Sequence, residues 1–315
     1  MPQAACHVPE LTVSVVAYRT PELLRRCLSA LFAERASVDM EVFVVDNASA
    51  DETIDLVRAE FPWVRPIANT HNLGFGAAHN QALRHASGRY WLVLNSDAAP
   101  QPGSLRTLID FMDATPSVAV CGPRLVYPNG QIQPSRRRFP TAPTLFFEST
   151  QIQRFWRDNA VLRRYYVTDV REDVIQDVDW IVGASLFVRA SAAGEVGLFD
   201  ERFFMYSEEL DWCRRFRAAG WRVAYVPTAE VVHLEGGSSQ ADLVARDERF
   251  QTSKLAYTAK WHGPLLALLL RAYLVTEYAV RAAEESCKLV LGSRPAERRE
   301  RLRVISSGLK NALGR

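Results

Sequence analysis

Across the first 120 or so residues, short apolar runs rich in β-branched side chains alternate with amphipathic stretches. That alternation constrains the fold more than any other feature. LTVSVVA (11–17), EVFVVD (41–46), YWLVLN (90–95) and VAVCG (118–122) are continuous apolar runs, as strands buried on both faces require. A weaker strand is predicted at Arg65–Ala68. Between them, Thr20-Pro21-Glu22 signals a helix start, with a hydroxyl cap, a proline and an acid. Leu23, Leu24, Cys27, Leu28, Leu31 and Phe32 follow at helical spacing. Helices are also predicted over 49–61, opened by Ser49 and Asp51, over 75–86 and over 101–114. Strands separated by helices give an α/β fold, Rossmann-like, with a largely parallel sheet covered on both faces. Ligands of such sheets bind at the carboxyl ends of the strands.

The rest of the chain is organised differently. Residues 123–173 hold prolines, the basic run SRRRFP and little periodicity, so loops and short helices over the sheet are expected. A glycine-broken strand (179–188), a helix (208–219) and short strands (222–227, 230–233) follow. After Ser239 the pattern is helical, which divides the chain into 1–239 and a helical extension, 240–315. The extension holds 14 Lys/Arg against 8 Asp/Glu, although the whole chain carries only +2. A basic tail on a slightly acidic body suits an anionic membrane surface and gives no reason to expect nucleic acid. Leu265, Leu266, Leu269, Leu270, Tyr273, Leu274 and Val280 form an apolar band cut by Arg271, Glu277 and Arg281, too polar to span a bilayer. Either it lies in the membrane interface, or it packs on the catalytic domain or on a second subunit of a homo-oligomer. The five cysteines are scattered and form no CxxC, and no apolar signal segment opens the chain. These features lead to the expectation of a cytoplasmic protein with buried, reduced Cys27 and Cys213, peripheral at most on the inner face of the membrane.

The motifs occur in a definite order: a first strand ending near Tyr18, VVDNASAD (44–51), NLGFGAAHNQAL (72–83), LNSD (94–97), CGPRLVYPNGQIQ (121–133), FDERFFMYSEELDWCRR (199–215) and VVHLEGGSS (231–239). Over roughly 11–262 the chain closely resembles the inverting glycosyltransferases of family 2, in particular the bacterial rhamnosyltransferase-like branch. That resemblance implies the GT-A fold, a nucleotide-diphospho-sugar donor and Mg2+ or Mn2+. Two positions depart from the family pattern. Asn95-Ser96-Asp97 replaces Asp-x-Asp, and Glu208-Glu209 replaces Glu-Asp at the base motif.

Each candidate residue has a plainer explanation beside its functional one. Asp46, ending the second strand with Asn47 behind it, is expected to contact the nucleotide, yet DNASAD also reads as a helix cap. Asn72 and Gly74 open a helix whose free N–H groups suit the nucleotide, and a simple turn explains them equally well. Asn80, within that helix, can hold the loop or touch ligand. Tyr18, Asn95 and Ser96 complete the donor side. Asp97 is the expected metal ligand. His233, beside Gly236-Gly237-Ser238, is its partner, where the plain reading is a core histidine. At 100° per residue Glu209 falls between Cys213 and Phe216 on the inward face, whereas Glu208 and Asp211 point away with Arg215. Glu209 is therefore the expected base, in ionised form at a helix N-terminus. Arg136-Arg137-Arg138 either binds phosphates or is a solvated run. Asp179-Trp180 and Phe203–Tyr206 are more simply core packing.

The expected activity is metal-dependent, inverting transfer of a sugar, L-rhamnose from dTDP-L-rhamnose, to a hydroxyl of a saccharide. A lipid-linked saccharide in cell-wall or surface-polysaccharide synthesis is the expected acceptor. UDP-galactofuranose and UDP-GlcNAc are alternative donors, and a catalytically silent sugar-nucleotide binder is the alternative function. A dinucleotide-dependent oxidoreductase is discounted, because VAYRTPELL stands where G-x-G-x-x-G belongs.

Overall fold

A computed structural model describes residues 8–234, 243–292 and 294–314. Along the chain run β1 (Leu11–Ala17), α1 (Pro21–Glu34), β2 (Met40–Asp46), α2 (Thr53–Glu60), β3 (Arg65–Ala68), α3 (Phe75–Leu83), β4 (Tyr90–Asn95) and β5 (Ala98–Pro100). Next come α4 (Ser104–Ala114), β6 (Val118–Val126), β7 (Ile132–Gln133), β8 (Arg136–Arg137), and the short helices α5 (Ala142–Phe147), α6 (Gln151–Phe155) and α7 (Ala160–Tyr165). Then follow β9 (Gln176–Val178), β10 (Trp180–Ile181), β11 (Ser185–Arg189), α8 (Ala190–Val196), α9 (Glu208–Ala218) and β12 (Arg222–His233). The chain closes with α10 (Leu243–His262), α11 (Pro264–Val290) and α12 (Pro295–Ala312).

Two compact units result. The first takes in Met1–Phe139, Val170–Glu201 and Glu208–Ser238; the second takes in Pro140–Asp169, Arg202–Ser207 and Ser239–Arg315. The first unit is built on a sheet ordered β3-β2-β1-β4-β11-β6-β12-β5. The expected parallel pairs are present (β1 with β2 and β4, β2 with β3, β6 with β12), while β11 and β5 run antiparallel to their neighbours. The core follows from the apolar runs: Val13, Val15, Val42, Val44, Leu92 and Leu94 are fully buried beneath Leu24, Leu28 and Leu31 of α1. Gly88 has no room for a side chain, since a Cβ there would lie 2.5 Å from the Thr12 amide nitrogen.

Three local expectations need correction. Thr20 does not cap α1; its hydroxyl instead lies 2.9 Å from that of Ser96, tying the end of β1 to the loop after β4. The helix expected from Ser49 starts at Thr53, where Asp51 accepts the Thr53 N–H, because Ser49 is occupied with Asp46. Residues Pro140–Asp169 cluster with the C-terminal helices, which bury Leu145 with Leu270 and Leu274.

In the second unit the apolar band of α11 splits. Leu270, Leu274 and Tyr278 are buried, Leu266 and Tyr273 pack partly against them, and Leu265, Leu269 and Val280 are exposed. Lys254 is buried and donates to the Glu148 carbonyl at 2.7 Å, and burial lowers its pKa. Cys27, Cys121 and Cys213 are free and buried, as expected for the first and last; Cys287 is free and exposed. No described helix is long and apolar enough to cross a membrane.

Candidate active site

The candidate residues lie in the first unit, along the carboxyl ends of β1, β2 and β4. β2 ends on Asp46, whose Oδ1 accepts the Ser49 amide at 3.1 Å and the Ser49 hydroxyl. The Ser49 Oγ in turn accepts the Arg19 N–H at 2.9 Å, which joins the loops after β1 and β2. Arg19, Ala48 and Ala50 hold positive φ (57°, 67° and 57°), a strained backbone that these bonds maintain. Tyr18 is half-buried beneath the Arg19 guanidinium, 5.0 Å from its ring centre.

Asn47 serves the protein itself. Its amide donates to Asn72 Oδ1 (2.8 Å) and the Gly74 carbonyl (3.1 Å), and its oxygen accepts from Leu73 N (3.0 Å) and Asn69 (3.2 Å). Asn72 also accepts the N–H of Gly74, which stands at φ 86° before α3. Asn80 is likewise committed: it donates to Phe199 O and Glu201 and accepts from Phe199 N. The Asn47 and Asn80 side chains thus brace the loops on the donor side of the site. His79, one residue earlier, is fully buried with Nδ1 2.7 Å from the Ser14 hydroxyl, and burial lowers its pKa to about 3. It is a core histidine.

The end of β12 folds back beside the residues after β4. Pairing of His233 with Ala98, and an N–H from Leu234 to the Asp97 carbonyl at 3.1 Å, bring the two predicted metal ligands together. His233 Nε2 lies 3.2 Å from Asp97 Oδ1, and both side chains are buried. The two amide partners of the ring, as oriented, favour one tautomer over the other. Nδ1 lies 2.8 Å from Gln133 Oε1, which can only accept, so Nδ1 carries the hydrogen. Nε2 lies 3.3 Å from Asn95 Nδ2, which can only donate, so Nε2 presents a lone pair. That lone pair faces a carboxylate oxygen. A divalent ion held between the two would relieve the repulsion, so the donor set fits a small cation. No set of three His, Cys, Asp or Glu suited to a metal occurs among the described residues. Gly236, Gly237 and Ser238 lie outside them.

Gln133 was not singled out from the sequence, though it closes the quoted CGPRLVYPNGQIQ segment. It is placed because β7 pairs with β6, setting Gln133 opposite Leu125.

The acid pair opens α9. Here the wheel argument fails in part: Glu208 and Asp211 are buried, while Glu209 is half-buried. The first turn packs on more than one side, with the Glu208 Cβ near Gly76 and the Glu209 side chain against Gly183. Asp211 does pair with Arg215, at 3.0 Å. Burial pushes the Glu208 carboxyl well above the usual range, and the Glu209 charge adds to this. Burial also raises Glu209, but N–H groups of its own helix start and of Gly183 oppose the rise, as does nearby Arg137. One oxygen of each, Oε2, is buried with no hydrogen-bond partner in the protein. The surroundings of Glu209 thus include more groups that favour the charged form than those of Glu208.

Gly183 links both clusters. It sits in the break between β10 and β11 and contacts Glu209, and the next carbonyl, of Ala184, accepts the Asn95 N–H at 3.0 Å. The glycine break predicted within 179–188 is thus the point where the acid pair meets the Asn95–Asp97 loop.

The arginine run divides. Arg136 is buried and donates to the Val170 and Arg171 carbonyls and to Gln176 Oε1, so it is not part of a solvated run. Arg137 donates to the Pro134 carbonyl at 3.0 Å and stays within electrostatic reach of Glu209. Trp180 is buried and donates to the Arg138 carbonyl.

Comparison with known proteins bears on this geometry. The sequence profile described as Glycosyl transferase family 2 matches residues 12–171. The chain is 30% identical over 308 residues to the N-acetylglucosaminyl-diphospho-decaprenol L-rhamnosyltransferase of Mycobacterium tuberculosis, spanning 90% of this chain and 98% of that protein. It is 26% identical over 264 residues to the O-antigen biosynthesis protein RfbC of Myxococcus xanthus, spanning 81% of this chain and 20% of that one. Among solved structures it is similar to a mannosyltransferase from Pyrobaculum calidifontis in complex with GDP-Man and Mn2+. That likeness has a TM-score of 0.56 at 19% identity, over 98% of this chain and 87% of the other.

Proposed function

This chain belongs to glycosyl transferase family 2, and from that premise we propose that it is a metal-dependent, inverting rhamnosyltransferase using dTDP-L-rhamnose. The acceptor is a hydroxyl of N-acetylglucosamine linked to a polyprenyl diphosphate, in cell-wall or surface-polysaccharide assembly at the cytoplasmic face of the membrane. Similarity to the N-acetylglucosaminyl-diphospho-decaprenol L-rhamnosyltransferase of Mycobacterium tuberculosis supports rhamnose as the sugar and a lipid-linked N-acetylglucosamine as the acceptor. Among the structural observations, one carries the reading: the break at Gly183 and Ala184 touches Glu209 on one side and Asn95 on the other, beside a carboxylate–imidazole pair spaced 3.2 Å apart.

In this reading Asp46 and the N–H groups opening α3 receive the nucleotide. Asn95 and Gln133 hold His233 so that its Nε2 lone pair and Asp97 face the diphosphate together. Asp97 and His233 would hold a divalent ion there, and it would neutralise the charge growing on the leaving diphosphate. Glu209 accepts the proton of the acceptor hydroxyl as that oxygen attacks the anomeric carbon from the face opposite the diphosphate, and a single displacement inverts the centre. Burial of Glu208 beside it favours the neutral carboxyl there, which limits the negative charge in the pocket.

Titration of the protein with dTDP-L-rhamnose, with and without Mn2+, tests this. Binding that tightens with Mn2+, and loses that gain in Asp97→Ala and in His233→Ala, is expected. Equal binding with and without metal, in both variants and the parent, overturns the metal assignment. Tighter binding of UDP-galactofuranose or UDP-GlcNAc overturns the donor.

A further inference from the structure

α11 is an amphipathic helix turned inside out. Leu265, Leu268, Leu269, Val280, Val290 and the C-cap Leu291 are all between 53 and 86% exposed. At 100° per residue they span an arc of about 140°. Every charged residue of the helix, namely Arg271, Glu277, Arg281, Glu284, Glu285 and Lys288, falls in the complementary arc, also about 140° wide. That charged arc includes the side packed within the second unit. Glu277 and Glu285 are buried; Glu285 pairs with Arg298 of α12 at 2.7 Å, and Glu277 accepts the Gln151 N–H at 3.2 Å. Glu284 lies 3.8 Å from Arg154 of α6. The outer arc is left without charge along a helix of 27 residues, about 40 Å. An ordinary surface helix places its residues the other way round.

An uncharged stripe of this length on a soluble surface marks an interaction face. The charge of the unit identifies what it meets. Its segments hold 19 Lys/Arg against 11 Asp/Glu, so two copies laid face to face bring like charge together, whereas an anionic surface complements it. The same unit also exposes two aromatic side chains of the kind favoured at bilayer interfaces, Phe155 and Trp156, 78 and 58% exposed at the end of α6. No described helix can span a bilayer, so the contact is with its surface.

We propose that the outer face of α11 is a membrane-docking surface that lays the helix in the plane of an anionic bilayer, its apolar arc among the acyl chains and the basic residues of the unit at the headgroups. The proposal stands apart from the transfer reaction, since its test reads lipid binding alone.

The test uses the full chain with Cys6→Ser and a nitroxide on the exposed Cys287, which lies within the outer arc while the other described cysteines are buried. With phosphatidylcholine vesicles containing phosphatidylglycerol, the nitroxide becomes accessible to lipid-dissolved oxygen and shielded from a water-soluble relaxer. With phosphatidylcholine alone, or in high salt, the effect is smaller. Leu269→Glu/Val280→Glu, both on exposed positions, lowers vesicle co-sedimentation at least about tenfold with an unchanged thermal melt. Unaltered nitroxide accessibility, or equal sedimentation of parent and variant, overturns the proposal. A drop in solution mass in the variant without lipid assigns the face to a second copy, and overturns it too.

Discussion

Gln133→Leu isolates the role of the buried bond to His233. The bond is 2.8 Å long between two side chains that are each more than nine-tenths buried, so solvent does not replace the lost acceptor. An orphaned N–H at that depth costs about 1–3 kcal/mol. The imidazole has one escape, which is to move its proton to Nε2 and donate it to Asp97 Oδ1, 3.2 Å away. That shift regains a hydrogen bond and removes the lone pair a cation needs. Loss of such an orienting partner lowers metal affinity by about 10–100-fold, equivalent to about 1.4–2.7 kcal/mol. Two readouts separate the effects. Two-bond 15N correlation spectra of the metal-free protein report the tautomer, with Nδ1–H in the parent and Nε2–H in Gln133→Leu. Electron paramagnetic resonance titration with Mn2+ in the presence of dTDP reports affinity, weaker in Gln133→Leu and retained in Gln133→Glu. An unchanged tautomer together with parental Mn2+ affinity in the Leu variant refutes the reasoning.

Further expectations concern the acid pair and the sheet. Glu209→Gln should cut turnover by on the order of 10²–10⁴ while donor affinity, by titration, stays parental; Glu208→Gln should lose much less, and reversed severities would exchange their roles. Because burial raises both carboxyls, the folded state holds their protons more tightly than the unfolded chain. Their favourable contribution is therefore complete below the unfolded carboxyl value and lost as pH rises through the raised one. Thermal melts should then show Glu208→Gln gaining on the parent at about pH 8 and not at about pH 5, and a gain independent of pH would contradict this. Turnover should fall as acid protonates Glu209, with its acid limb above the pH range of an ordinary glutamate. Gly88→Ala drives a methyl into the Thr12 backbone, so chemical denaturation should show a loss of about 3 kcal/mol or more; a loss below about 0.5 kcal/mol would mean that the strand edge yields freely.

Periodicity made the sheet legible, because strands buried on both faces leave continuous apolar runs such as LTVSVVA and YWLVLN. The antiparallel strands β11 and β5 were not legible, since direction in a mixed sheet depends on the connections, which leave no local signal. Asp97 and His233 could be paired from motif order, and register brings them together. Gln133 escaped notice because a residue that orients a ligand looks like any polar residue beside a turn. Glu208 was misjudged because a helical wheel assumes one buried face, whereas the first turn of α9 packs against both Gly76 and Gly183. Thr20 and Asn47 share a lesson: residues with cap and turn chemistry were instead recruited across loops, by Ser96 in one case and by the Asn72–Gly74 segment in the other.

Transfer itself is the most direct measurement. The purified chain, dTDP-L-rhamnose, Mn2+ and a synthetic polyprenyl-diphospho-N-acetylglucosamine are incubated together, and the glycolipid product is identified by mass spectrometry and its anomeric configuration by NMR. Addition of one deoxyhexose is expected, with the anomeric configuration inverted relative to the donor, abolished by excess EDTA and severely reduced in Glu209→Gln. Retention of the donor configuration, or full activity in EDTA or in Glu209→Gln, contradicts it.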